Sequence, residues 1–291
     1  MAYVYMVRCE NGALYTGWTN DLQKRLAAHQ SGRGANYTRA FGAGSLAWAQ
    51  ALPDKSSALK KEAQIKKLTK QQKEELAAGF QPEKFILLRP ATVQDAPLVR
   101  RVVQYYIENT AYSFLYRLPT EKDYRDEIRS ILKELPYFIA TDANGRPLGY
   151  VCAHHWRFGA PAYLWDAETT IYLDPAARRL GLGKKLYQAL LAALALSGYW
   201  NAYAVLADPN PASEAFHAAM GFQLECRQAR TGYKNGWQGT SFWCLRLKEG
   251  KAAPQGEPKP LKKDELNRIA ELCQTGESWQ QIVNSMEADR G

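Results

Sequence analysis

The string Arg178-Arg179-Leu180-Gly181-Leu182-Gly183-Lys184 joins an alternating run, Asp166 to Leu173, to an apolar-periodic run, Lys184 to Leu196. The first reads as a strand and the second as a helix. Two glycines at such a junction let the backbone pass close to a ligand with its N–H groups turned outward. The positive end of the helix dipole lies behind them, so the junction is suited to a pyrophosphate. A second set of polar residues lies near the N-terminus. Arg25 and His29 are four apart on a helical run and face the same way. Tyr5 and Tyr15 lie on the two runs that flank Asn11-Gly12, and Glu62 precedes Lys66 by four on a later basic run.

The elements that must position these groups follow from pattern. Residues 1–79 read as strand (Tyr3–Cys9), turn, strand (Ala13–Trp18) and a helix over Asp21–His29. Asn20 followed by Gln23 fits a capping-box start. A Gly-rich loop (Ser31–Ala35) and a short strand near Leu46–Ala51 come next. One long basic helix is expected from Ser57 to Ala78, ended by Gly79. Residues 85–247 alternate: strand Phe85–Arg89, helices Gln94–Asn109 and Glu121–Glu134, strands Tyr137–Thr141 and Leu148–His155, then the strand and helix around the glycines. Strand Ala202–Ala207, helix Ser213–Met220 and strands Phe222–Gln228 and Ser241–Leu247 complete a mixed sheet flanked by helices. Residues 248–263, rich in proline and lysine, read as a linker, and Asp264–Met286 as two short helices around Thr275-Gly276. A docking or dimer-contact hairpin suits that tail better than half of a helix-turn-helix.

Composition narrows the function classes. No apolar run is long enough to span a bilayer, and the chain opens on a strand-like run containing Arg8, so neither membrane span nor signal peptide is expected. The five cysteines are scattered, and no histidine has zinc spacing to one of them. A cytoplasmic protein with reduced thiols and no structural zinc is the expectation. The net charge of +9 is uneven: +6 falls on residues 1–84, +4 on 85–247 and −1 on 248–291. The densest positive charge therefore lies on the smallest ordered segment, which favours a polyanionic partner there.

Residues 85–247 resemble the GNAT N-acetyltransferases, and within them the phosphinothricin and methionine-sulfoximine group. The resemblance rests on Leu88-Arg89-Pro90-Ala91-Thr92, Glu168 to Leu173, Arg178 to Gly183, Asn210-Pro211-Ala212-Ser213, Phe216 to Phe222, Gly232-Tyr233-Lys234 and Trp237. It implies an acetyl-CoA site. The amides around Leu180, Gly181, Leu182, Gly183 and Lys184, with Arg178 and Arg179, would hold the pyrophosphate. Strand amides at Ile171, Tyr172 and Leu173, with Asn210, would position the pantetheine arm. Glu168 takes the place of the proposed general base. His217 takes the place of a histidine that would protonate the leaving thiolate or assist the base. Arg157 would contact an acidic acceptor. The group's W-[KR]-x-R string is reduced here to Trp156-Arg157-Phe158-Gly159, without the second basic residue, which leaves the acceptor open between an amino-acid-like amine, another small amine and a protein N-terminus.

Residues 1–79 resemble the small single-domain branch of the GIY-YIG endonuclease superfamily. The strings are Tyr3-Val4-Tyr5, Leu14-Tyr15-Thr16-Gly17, Lys24-Arg25-Leu26 with His29, and Leu59 to Lys73. The resemblance implies Glu62 as the lone carboxylate ligand of Mg²⁺, Arg25 as the group that stabilises charge on the scissile phosphate, and Tyr5, Tyr15 and His29 as orienting or proton-accepting groups. Tyr5 and Tyr15 also fit core aromatics with hydroxyls at the rim, and Glu62 fits an ordinary helix pair with Lys66. Tyr3 replaces the glycine of the first motif, and no asparagine follows Glu62 on its helix.

The expected architecture is α+β / α/β: a small GIY-YIG-like α/β domain (1–80), a GNAT mixed-sheet α/β domain (85–247), a linker (248–263) and a helical tail (264–291). The expected activity is acetyl transfer from acetyl-CoA to the primary amine of a small amino-acid-like acceptor, fused to a Mg²⁺-dependent nuclease-like domain. The alternative is a catalytically inactive nucleic-acid-binding module that directs acetylation of protein targets. DNA or another nucleic acid is the expected partner of the basic domain. A homodimer is implied because the resembled acetyltransferases are commonly dimers.

Overall fold

A computed structural model describes residues 1–177, 180–250, 253–254 and 256–289. The chain divides into two compact units, Met1–Leu87 with Thr141–Arg146, and Leu88–Ala140 with Pro147–Gly291.

The first unit is built on a three-stranded antiparallel sheet in the order β2-β1-β3, from β1 (Ala2–Arg8), β2 (Leu14–Thr19) and β3 (Leu46–Leu52). β1 is buried on both faces because its residues alternate between two apolar clusters. Tyr3, Tyr5 and Val7 pack with Leu22 and Leu26 of α1 (Leu22–Gln30). Ala2, Val4 and Met6 pack with Ala58 and Ile65 of α3 (Lys55–Lys67). The cap of α1 is Asp21, one residue later than the pattern suggested, and its carboxylate accepts the Lys24 N–H at 2.9 Å. The stretch after the Gly-rich loop contains a helix that the sequence reading omitted, α2 (Asn36–Phe41). The long basic helix expected over 57–78 is two helices. Leu68 leaves helical geometry, and Thr69 starts α4 (Lys70–Ala78) through a capping box with Gln72. The capping box satisfies N–H groups that the break at Leu68 would otherwise leave free.

The second unit holds a seven-stranded sheet in the order β4-β5-β6-β7-β8-β10-β9. Its strands are β4 (Leu87–Pro90), β5 (Tyr137–Thr141), β6 (Pro147–His155), β7 (Asp166–Leu173), β8 (Asn201–Asp208), β9 (Gln223–Tyr233) and β10 (Trp237–Arg246). Its helices are α5 (Ala96–Asn109), α6 (Glu121–Ile131), α7 (Leu182–Ser197), α8 (Pro211–Ala219), α9 (Lys263–Thr275) and α10 (Trp279–Ala288). α7 is apolar almost all round, as a helix covered on both sides must be. Its second cover is the tail. α9 and α10 pack on α7, and the Gln188 side chain accepts the Trp279 N–H at the start of α10. The tail is thus a docked hairpin, and no described helix is long and apolar enough to cross a membrane.

Candidate functional sites

In the second unit the site is made by two strands that part company. β7 and β8 run parallel and pair only over Asp166–Glu168 and Asn201–Tyr203. Beyond that point Thr169–Leu173 stays bonded to β6, and Ala204–Asp208 to β10. A cavity of about 430 Å³ opens between them, lined by residues 168–173 of β7 and 205–207 of β8. The start of α7 contributes Gly183 and Tyr187, and α8 contributes Ser213 and His217.

The two glycines before α7 do different things. Gly181 has φ +69° with nothing within 4 Å of where a Cβ would lie, so conformation alone selects glycine. It is the N-cap of α7 and no side chain caps the helix. The first N–H groups of α7 are therefore available to an anion, with the dipole behind them. Gly183 is buried, and a Cβ there would lie 3.1 Å from the Phe216 ring. Close packing of α7 on α8 is its reason. Leu180 precedes the turn and Lys184 is exposed on the first turn of the helix. Arg178 and Arg179 lie outside the described residues.

Glu168 lines the cavity where the strands separate. Burial pushes its carboxyl above the usual range, the direction that suits a proton acceptor. Its neighbour across the sheet is His154, in register on β6 and 3.5 Å from the Cys152 thiol. Sequence reasoning passed over His154, although period two on β6 places it beside the glutamate's strand. His217 is buried, with Nε2 2.7 Å from the Tyr187 hydroxyl and Nδ1 2.8 Å from the Ser213 carbonyl. Burial pushes its pKa down. Tyr187 was also missed, and the spacing that finds it is simple: it is four residues after Gly183, on the same face of α7. Asn210 lines the cavity and caps α8, its Oδ1 accepting the Ser213 N–H at 3.3 Å. Ile171, Tyr172 and Leu173 line the cavity, and the Leu173 carbonyl accepts the Tyr106 hydroxyl at 2.6 Å. Arg157 is not among the lining residues; it has φ 49° and lies over the Trp156 ring at 5.6 Å.

A buried lysine supports one wall of this cavity. Lys234, in the turn between β9 and β10, donates to the carbonyls of Ile107 and Ser113, each at 2.8 Å. This ties down the segment after α5, which carries Tyr112 to the cavity wall.

In the first unit, Tyr5, Tyr15, Arg25 and His29 come together around β1, β2 and α1. Arg25 Nε donates to the Tyr5 hydroxyl at 2.9 Å. That hydroxyl lies 2.7 Å from His29 Nε2, and His29 Nδ1 lies 2.7 Å from Thr38 Oγ1. Thr38 donates to the Ala35 carbonyl at 3.0 Å. Arginine only donates and a carbonyl only accepts, so the direction of every link is fixed. With a neutral ring, the Tyr5 hydroxyl donates a hydrogen bond to Nε2, and Nδ1–H donates to Thr38 Oγ1. Burial, with Arg25 nearby, lowers the His29 pKa to about 4, and burial raises Tyr5 to about 12. Gly17 and Gly34 make room for this chain: a Cβ at either would fall 2.8 Å from the Tyr5 hydroxyl or within the His29 ring's contact distance. Outward from it, Tyr15 stacks at 19° on Tyr37, which meets Phe41. Glu62 is mostly covered, acts electrostatically on Tyr5 and pairs with Lys66 at 2.9 Å.

Comparison with known proteins finds a separate family for each part of the chain. The GIY-YIG catalytic domain model matches residues 1–75, and the Acetyltransferase (GNAT) family model matches residues 103–222. A phosphinothricin N-acetyltransferase of Streptomyces viridochromogenes is 32% identical over 157 residues, which is 54% of this chain and 85% of that protein. The chain belongs to the GNAT acetyltransferase family. Its first unit belongs to the GIY-YIG family: a UPF0213 protein of Vibrio cholerae is 53% identical over 79 residues, 27% of this chain and 78% of that one. Among solved structures, a GNAT superfamily phosphinothricin acetyltransferase from Sinorhizobium meliloti, in complex with AcCoA, covers 60% of this chain and 96% of its own. It is 30% identical, with a TM-score of 0.57.

Proposed function

We propose that the GNAT unit transfers acetyl from acetyl-CoA to the primary amine of a small amino-acid-like acceptor, using Glu168 as base. The observation that carries this reading is a carboxylate with a raised pKa at the fork of β7 and β8, beside a helix start that no side chain caps. Acetyl-CoA supplies the activated acyl group. Glu168 takes a proton from the acceptor ammonium, and the amine attacks the thioester carbonyl. The C–N bond forms and the C–S bond breaks. His217 returns a proton to the sulfur. The first amides of α7 hold the pyrophosphate, which fixes the thioester near Glu168. The relatives named for phosphinothricin support an acidic amino-acid-like acceptor, with Arg157 as its contact once the acceptor is bound. A second copy of the chain is the partner this reading expects.

For the first unit we infer Mg²⁺-dependent cleavage of nucleic acid, supported by the four-residue chain around Tyr5 and by its positive charge. No group of three metal-ligating side chains occurs among the described residues. A single carboxylate fits Mg²⁺, which keeps most of its waters, and Glu62 near Tyr5 is that carboxylate. The ion would supply charge neutralisation at the scissile phosphate. Arg25 then meets the phosphate, and Tyr5, its proton directed at His29, orients the attacking water.

The deciding experiment is thiol release from acetyl-CoA across phosphinothricin, methionine sulfoximine, methionine sulfone and common amino acids. Glu168→Gln should lower kcat by about 10²- to 10⁴-fold with the fold unchanged. Equal turnover by wild type and Glu168→Gln removes Glu168 as the base. Acetylation of a co-purified protein, stimulated by DNA and with free amines untouched, would transfer the support to protein-directed acetylation.

A further inference from the structure

Within the cavity wall four contacts run in an unbroken line. His217 Nδ1 is 2.8 Å from the Ser213 carbonyl oxygen, and its Nε2 is 2.7 Å from the Tyr187 hydroxyl. That hydroxyl is 2.9 Å from Thr169 Oγ1, which lies 2.9 Å from the Tyr203 carbonyl oxygen. Both ends of the line are carbonyls, which only accept. Each of the four contacts needs one hydrogen. A neutral imidazole brings one, Tyr187 one and Thr169 one, so a neutral line is one hydrogen short. Two lone pairs then face each other across a short buried contact, which is costly. An imidazolium brings the fourth. Every link is then made, running outward from the ring to both carbonyls.

The Ser213 hydroxyl, 3.3 Å from Nδ1, does not repair the shortage. A bare Nδ1 would still face the Ser213 carbonyl at 2.8 Å. The titratable groups facing the line are Tyr187 from α7 and Cys152 of β6, which acts on Tyr187. β7 presents Thr169, and Phe216 and Phe222 close the remaining edges of the ring. The first unit offers a control within the same chain. There the line from Arg25 through Tyr5, His29 and Thr38 to Ala35 has four contacts and four hydrogens with a neutral ring. The difference lies in the end groups: one line begins at a donor, the other at an acceptor.

We propose that Thr169 and Tyr187 are positioning residues that make His217 a proton store for acetyl transfer, filled when the imidazolium satisfies all four contacts. The proposal rests on the reading that the unit transfers acetyl through Glu168 and His217. In one turnover the departing thiolate takes one proton from the store. The acceptor ammonium loses two protons in becoming an amide; one refills the store and the other leaves to solvent. Burial opposes the charged ring, and the fourth hydrogen bond offsets that opposition.

The test is an NMR titration of the imidazole C–H signals in the full chain, with His217→Gln to assign the resonance. Thr169→Val removes the hydroxyl that obliges Tyr187 to donate away from the ring. Tyr187 can then donate to a neutral Nε2, and the neutral ring becomes satisfied. The His217 midpoint should fall by about one pH unit in Thr169→Val. Thr169→Ser should restore it, and Tyr187→Phe should lower it as well. An unchanged or higher midpoint in Thr169→Val overturns the proposal. So does a wild-type ring that stays neutral down to the pH at which the protein unfolds. With methionine sulfoximine as acceptor, the alkaline limb of kcat should move by the same amount while the acetyl-CoA KM stays fixed. Silence of the wild type with every amine would count against the acetyl-transfer reading alone, because the titration needs no acceptor.

Discussion

Acid should weaken the first unit through one histidine. His29 is 2% exposed and its neutral ring accepts from Tyr5 and donates to Thr38. Its pKa in the folded chain is about 4, against an ordinary value of 6.5. The folded state therefore binds fewer protons than the unfolded state between those two values, and stability rises with pH there. The contribution is fully present above about pH 6.5 and is lost as pH falls toward 4. At 1.36 kcal/mol per pH unit, the loss works out at about 3 kcal/mol. That is a large fraction of the stability of a small unit.

Urea unfolding of the full chain, read by fluorine NMR of fluorotryptophan at Trp18 and Trp48, follows the first unit separately. Wild type should lose about 3 kcal/mol more between pH 7 and pH 4 than His29→Leu does. The variant starts less stable, because Tyr5 loses its acceptor, but it lacks the histidine slope. Carboxylates such as Asp54 and Glu74 titrate in both proteins, so the difference isolates the ring. Parallel pH slopes in wild type and variant would refute the argument, and would mean that the ring protonates without cost despite its burial.

Other consequences can be measured more quickly. Gly183→Val places a branched side chain against Phe216, whose ring would lie only 3.1 Å from the new Cβ. Overpacking of about 1–3 kcal/mol at this contact should weaken acetyl-CoA binding about tenfold in calorimetry, and wild-type affinity would show that α8 yields freely. Lys234→Met removes the donor to the Ile107 and Ser113 carbonyls and should raise the acceptor KM more than the acetyl-CoA KM in steady-state assays; equal effects on both would indicate general loosening. Glu62→Ala should abolish Mg²⁺-dependent nicking of a plasmid by purified protein, and equal cutting by the variant would locate the activity elsewhere.

Much of this organisation was legible in the sequence because it rests on local rules. Gly181 and Gly183 between a period-two run and an apolar helix located the start of α7, and Asn11-Gly12 located the first hairpin. The two helices of the tail followed from their apolar spacing around Gly276. Less legible were boundaries decided by one cap. Thr69 with Gln72 divides the basic helix, and Asp21 rather than Asn20 begins α1. Periodicity carries no information about which of two neighbouring polar residues turns its oxygen toward the free N–H groups.

What the sequence hid were contacts between distant segments, and these decide the chemistry. Thr38 and His29 are nine residues apart and touch only because α2 exists. Thr169, Tyr187 and His217 lie on a strand and two helices, and no spacing rule joins them. Nor does residue type reveal their protonation. Both buried histidines contact a tyrosine and a threonine-bearing line, and both have pKa values pushed down by burial. Yet one line begins at a guanidinium and the other at a carbonyl. That single difference, visible only when donors and acceptors are followed to both ends, makes the neutral ring complete in the first unit and one hydrogen short in the second. The same side chain is thereby suited to accept a hydrogen bond from Tyr5 at one site and to hold a proton in reserve at the other.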